Sequence, residues 1–126
     1  MLRIVSVFLV ATVLNLAYEL LHSWLYKTCR EASLKKYSYL MVKACLFDGI
    51  AITIIYYFSI LFFKNFYLLA FATITLAFAY VWEIHSLKKG KWEYAKEMPI
   101  VFGVGLTPLA QLFLTGIATL YLCQVF

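Results

Sequence analysis

The sequence predicts an all-α protein, a polytopic transmembrane four-helix bundle built as a single domain over residues 1–126, and three observations carry that expectation. Of the 126 residues, 65% are hydrophobic and 13% charged; soluble domains run at about 45–50% and about 25%, so this chain lies outside that class. Apolar runs of about 20 residues recur, the length a helix needs to cross the hydrocarbon of a bilayer. Runs such as Ile50-Ala51-Ile52-Thr53-Ile54-Ile55 do not alternate, which argues against a membrane β-barrel.

The first span is expected over residues 4–26. Met1-Leu2-Arg3 before a long apolar run superficially resembles a secretory signal. The run is too long for an h-region and no small-x-small cleavage site follows, so the segment reads as a retained span. A basic loop, Lys27 to Lys36, leads to a second span over 39–63. Lys64-Asn65 make a tight turn into a third span over 66–87. A second basic loop, Lys88 to Glu97, precedes a fourth span over 99–122, with Pro99 at a first helical position, where its missing N–H costs nothing. Gly103-Val104-Gly105-Leu106-Thr107-Pro108 is expected to interrupt this last span, as a packing kink or as an unwound stretch whose freed carbonyls line a pocket. The connections are short, so successive helices should be antiparallel neighbours.

Charge sets the orientation. Lys27, Arg30, Lys35 and Lys36 lie in one loop and Lys88, Lys89, Lys91 and Lys96 in the other, while the opposite side has only Arg3 and Lys64. The positive-inside rule puts both basic loops in the cytoplasm and both termini outside, as expected for a multi-pass protein of the bacterial inner membrane. The net charge of +5 is explained by these loops and by anionic headgroups, not by nucleic acid. Cys29, Cys45 and Cys123 form no C-x-x-C pair, and neither a disulfide framework nor a zinc knuckle is expected.

Candidate functional residues stand out because polar groups are costly inside apolar spans. Asn15, Glu19, His22 and Tyr26 follow i, i+4, i+7, i+11 spacing, one face of a helix, with Tyr18 beside them. Asp48 lies about nine residues into the second span, Glu83 about a turn before the end of the third, and Thr107 and Gln111 (i, i+4) in the fourth. Each span thus contributes polar groups to the cytoplasmic half. His85 is about 200° from Glu83 and Lys43 about 140° from Asp48 around their helices, so both are left out of the core; Lys43 reads as a snorkelling lysine.

Glu19, His22, Asp48 and Glu83 are the expected chemical groups, and Asn15, Tyr18, Trp92, Tyr94, Thr107 and Gln111 the expected substrate contacts. Glu19-x-x-His22 has the i, i+3 geometry of carboxylate-bridged metal sites, so the four could hold a single divalent metal; the di-iron pattern needs a second such pair, which is missing. A metal-free acid–base cluster and a set of polar contacts that only joins helices are the other two readings. Trp92 and Tyr94 are either interfacial anchors or part of a lid over the site.

Asn15-x3-Glu19-x2-His22, Asp48, Gly90-x-Trp92-x-Tyr94-x3-Met98-Pro99 and Gly103-x-Gly105-Leu106-Thr107-Pro108-Leu109-x-Gln111 together resemble the pattern of a group of small, uncharacterised four-span bacterial membrane proteins. The resemblance implies that these positions work as one unit and implies no activity. From the residues, the leading expectation is a membrane-embedded enzyme acting on a lipid or isoprenoid-like substrate. A small proton-coupled transporter and a scaffold or assembly subunit are the alternatives. The expected partners are the bilayer, that substrate and a second copy of the chain in a homo-oligomer.

Overall fold

The computed structural model of the protein describes residues 1–124. Its long elements are the apolar runs made helical: α1 (Leu2–His22), α3 (Leu34–Phe63), α4 (Tyr67–Lys88) and α5 (Leu106–Leu122), with a single helical turn, α2 (Lys27–Arg30), after α1. At ~1.5 Å per residue they measure ~32, ~45, ~33 and ~26 Å for α1, α3, α4 and α5. The helical stretches Leu2–Leu25 and Leu34–Lys88 are long and apolar enough to cross a membrane, whereas α5 is shorter. The second stretch doubles back at Lys64–Phe66, where Lys64 takes a left-handed φ of 44°.

Helix α3 starts five residues earlier than the apolar run. Ser33 caps it, its hydroxyl accepting from the Lys36 N–H at 3.2 Å; such a cap contributes about 0.5–2 kcal/mol, enough to extend a helix through Lys35 and Lys36.

The fourth span differs from expectation. Pro99 does not open a helix. Ile100–Val101 and Val104–Gly105 pair as a small antiparallel hairpin, β1 and β2, and α5 begins only at Leu106. The turn uses left-handed backbone at Phe102 (φ 51°) and Gly103 (φ 83°), the second of which a residue with a Cβ rarely adopts. Pro108 therefore sits in the first turn of α5, where no intrahelical partner awaits its nitrogen, and makes no kink. Leu106 N–H instead closes the hairpin on the Pro99 carbonyl at 2.7 Å.

The four long helices form a ring in which α1 packs on α3 and α5, and α4 on the same two. Each sequential pair is adjacent, as short connections require. Val7 and Ala11 of α1, Ile52, Ile55 and Tyr56 of α3, Phe71 of α4 and Leu120 of α5 fill the core away from the basic loops. Helices α1 and α3 cross closely: a Cβ on Gly49 would run into the Thr12 side chain. Outward-facing side chains are apolar on every long helix, with Val13, Leu61, Leu69 and Leu114 all more than half exposed.

The basic loops meet at one end and are structured. Lys27 N–H donates to Glu93 O at 2.9 Å, Ala95 N–H to Leu25 O at 2.8 Å, and Tyr26 and Tyr94 form an antiparallel bridge. Arg30 and Glu97 add an ion pair at 3.0 Å. Leu25, Tyr26 and Met98 are buried beneath this cap, packed with Cys29, Trp92 and Tyr94.

Candidate active site: two carboxyl clusters on one cavity

Helical spacing brings the first cluster together. Asn15 and Glu19 lie one turn apart on α1, Gln111 and Thr115 one turn apart on α5, and Asp48 approaches from α3. The Gln111 side-chain nitrogen donates to Glu19 Oε1 at 2.9 Å, to Asp48 Oδ2 at 3.0 Å and to Asn15 Oδ1 at 3.0 Å. An amide nitrogen has two protons, so three acceptors compete for two donors. Thr115 Oγ1 lies 3.1 Å from Asn15 Oδ1 and 2.7 Å from its own-helix carbonyl at Gln111. Gln111 thus holds the Glu19 and Asp48 carboxyls side by side, each accepting from the same nitrogen.

Behind Glu19 runs a chain of side chains. Its Oε2 lies 3.1 Å from His22 Nε2, and His22 Nδ1 lies 2.9 Å from Thr107 Oγ1. With the imidazole proton on Nε2, His22 donates to Glu19 and accepts from Thr107. Tyr18 OH donates to the Thr107 carbonyl at 2.6 Å, and the rings of Tyr18 and Tyr26 stand edge-on to the imidazole. Carboxylate, imidazole and hydroxyl in series match the order of a nucleophile triad. Neither His22 nor Thr107, however, is on the cavity wall described below. The chain runs from Glu19 away from the cavity and ends on Thr107.

The second cluster is built on Glu83 of α4, which is buried. One carboxyl oxygen, Oε1, accepts from Trp92 Nε1 at 3.0 Å, from Tyr94 OH at 2.5 Å and from Tyr26 OH at 3.4 Å. The Tyr94 oxygen in turn accepts the Gly105 N–H at 2.9 Å, tying the cap to the start of α5. Burial, and then the hydrogen bond to Glu83, raise the Tyr94 phenol above its ordinary value of 10.0, against the opposing Gly105 N–H. Tyr94 is thus a donor at neutral pH.

A cavity of about 400 Å³ joins the two clusters. Glu19, Asp48, Glu83 and Gln111 all line it, and its remaining wall is largely apolar, with Phe47, Phe78, Trp82 and Trp92 among the lining side chains. Phe47 stacks on Phe78 and Trp82, with centroids 6.2 and 4.8 Å away. Lys43 and Lys91 are the exposed residues on the wall, so the cavity meets the surface beside them.

Of the residues expected from sequence, Asn15, Glu19, Asp48 and Gln111 meet in one network, with His22, Tyr18 and Thr107 behind it. Glu83, Trp92 and Tyr94 form the other. The four-residue metal set Glu19, His22, Asp48 and Glu83 is not gathered: among the described residues no three His, Cys, Asp or Glu side chains converge as metal ligands. The physical reason is that Glu83 is turned to the cap donors, while His22 meets only Glu19 of the set and spends its other nitrogen on Thr107. His85 is exposed, its ring 5.8 Å from Trp82, as its helical angle predicts. Tyr26 leaves the polar stripe of α1, because the helix ends at His22 and Tyr26 is extended, and it joins the Glu83 cluster instead.

Of the aromatic wall the sequence singles out Trp92 and not Phe47, Phe78 or Trp82; Lys91 is not singled out, and Lys43, read from its helical angle as a snorkelling lysine outside the core, lines the cavity. Phe78 and Trp82 at i, i+4, one residue before Glu83, carried a signal for the wall; Lys43 and Lys91 carried none that separates them from other interfacial lysines. Comparison with protein-family models, with curated proteins and with solved structures returns no match, so the reading of this site rests on its own geometry.

Proposed function

We propose that the chain is an integral membrane protein whose basic, capped end faces the cytoplasm, and that the cavity is the active site of a membrane-embedded acid–base enzyme acting on a lipid or isoprenoid-like substrate. The apolar outer surface on every long helix supports the bilayer setting, since soluble monomers rarely expose a contiguous apolar patch beyond about 300–600 Å². The observation that carries the enzymatic reading is the Glu19–Asp48 carboxyl pair, from two different helices, sharing Gln111 at the wall of a cavity large enough for a small apolar molecule.

A carboxyl pair holding one proton has one acid and one base side by side. One member adds its proton to one carbon of an alkene, which leaves a cation on the other; the second member removes a proton from the carbon on the far side of that cation. The net result is a shifted double bond, with no oxidant, reductant or change in proton count. Addition of water, or attack by a second alkene of the same molecule, would intercept the same cation. His22 and Gln111 hold the Glu19 carboxyl in place throughout, and the aromatic wall shelters the cation. The far half of the bundle favours this reading over a transporter. It is filled by Ile52, Tyr56, Phe71 and Leu120, and Ser59 and Thr119 there turn their hydroxyls onto own-helix carbonyls at 2.7 Å each.

The test compares lipid extracts of cells making the wild type, Glu19→Gln or Asp48→Asn, with folding checked by circular dichroism in detergent. A lipid species formed or consumed only with the wild type is expected. Identical extracts from all three, with all three folded, would sink the enzyme reading.

A further inference from the structure

We infer that the cavity takes its ligand by an anionic head group, seated between Lys43 and Lys91, with an apolar tail along Phe47, Phe78 and Trp82. The inference rests on the reading of the cavity as a substrate site, and it names the class of substrate: an amphiphile ending in a phosphate or a similar oxyanion.

The charges on the cavity wall are not equivalent. The acids are occupied from within the protein. Glu83 Oε1 has three donors, Glu19 has Gln111 on one oxygen and His22 on the other, and Asp48 has Gln111. The lysines are not occupied in that way. Among the described residues, neither Lys43 nor Lys91 has a carboxylate within ion-pairing distance. Lys91 Nζ lies over the Trp82 ring at 4.4 Å and Lys43 Nζ near the Tyr39 ring at 5.8 Å. A ring face holds an ammonium in place while leaving its protons free to donate to an anion.

Both lysines line the cavity, and one comes from α3 while the other comes from the loop after α4. A head group between them would bridge two elements at the mouth. From there the stacked rings of Phe47, Phe78 and Trp82 lead inward past Asp48 and Glu83. Lys88 and Lys89 are equally exposed and basic but do not line the cavity, so they provide the control for general attraction to anionic surfaces.

The experiment uses the full chain in dodecyl maltoside, in a Trp24→Phe background so that fluorescence reports on Trp82 and Trp92. Dodecyl phosphate should quench saturably. Its midpoint should rise tenfold or more in Lys43→Gln/Lys91→Gln, stay within twofold in Lys88→Gln/Lys89→Gln, and stay within twofold in Lys43→Arg/Lys91→Arg, which keeps both charges. Inorganic phosphate at the same concentrations should neither quench nor compete. Equal weakening in the two Gln pairs would overturn the inference, because the attraction would then belong to the basic surface at large. Tighter binding of dodecyltrimethylammonium would overturn it too, by making the carboxyls the seat. Competition by inorganic phosphate would show a free-anion site and remove the amphiphile. Dodecyl phosphate should bind Asp48→Asn as it binds the wild type. Retained binding with unchanged lipid extracts would therefore refute the acid–base chemistry while leaving the anion seat standing.

Discussion

Glu83 and the Glu19–Asp48 pair line the same cavity, yet their surroundings differ in one countable respect. Glu83 gathers three donors on a single oxygen, all from aromatic residues of the cap or its base. Glu19 and Asp48 share one amide nitrogen with Asn15, two protons for three acceptors; His22 adds a donor to Glu19 alone, so the shortage falls on Asp48. A surplus of donors fixes a carboxylate and makes it a fastener. A deficit leaves a place for a proton that can be given away, and that is the property acid–base chemistry requires. On the proposed reading the difference gives Glu83 an architectural role and the other two the reaction, although all three are acids in apolar helices.

Amide substitutions put the sharpest strain on that distinction. Glu19→Gln should reduce turnover by at least 10²-fold, the usual contribution of a positioned acid or base, with the cap intact. Glu83→Gln should do the reverse. It weakens charge-assisted bonds from Trp92 and Tyr94, each worth about 1.5–3 kcal/mol, and should speed proteolysis between Lys88 and Lys96 severalfold while sparing most turnover. Protease-digestion rates measured beside lipid conversion separate the two. If Glu83→Gln abolishes conversion with the cap still protected, the assignment is backwards.

The residues that predicted this site are those whose physics is local. Asn15, Glu19 and Gln111 are conspicuous because an apolar helix tolerates few polar groups, and 3.6-residue spacing tells which of them share a face. Asp48 and Glu83 stand out by the same rule, and both line the cavity. What the spacing could not reveal is who would meet Glu83, because its partners Trp92 and Tyr94 lie on a loop without periodicity. The hairpin at Ile100–Gly105 was hidden for a different reason. Ile100, Val101 and Phe102 continue the hydrophobicity of the run that follows, so glycines and proline read as a flaw in a helix and not as its beginning. Gly103 with positive φ and Pro108 in the first turn are ordinary start signals once the strand pair is recognised.

Tyr94 extends the comparison to the fastener alone. Its hydroxyl donates to Glu83 and accepts from Gly105, so Tyr94→Phe removes one of three donors to Glu83 and leaves the Gly105 N–H without its partner, the latter at about 1–3 kcal/mol. Thermal unfolding in detergent should shift downward accordingly. The pH profile adds a sign. Tyr94's phenol is raised in the folded protein, so its contribution is complete below the ordinary value of 10.0 and declines as pH climbs beyond it. The wild-type cap should loosen to protease above that pH, and the Phe variant should lack this particular dependence.

The smallest effect belongs to the outer rim of the same cap. Arg30 pairs with Glu97 at 3.0 Å, and Arg30 Nε also donates to the Trp24 carbonyl, but both charged groups are more than a third exposed. Exposed pairs contribute little to stability and are screened by salt. Glu97→Gln should therefore change the unfolding midpoint little, and the change should shrink further at high ionic strength. Glu83→Gln should keep most of its effect in salt, because its partners are buried with it. If instead Glu97→Gln opened the cap as fully as Glu83→Gln at any salt concentration, the closure would depend on rim charge, and the buried aromatic donors would lose the role that their geometry assigns them.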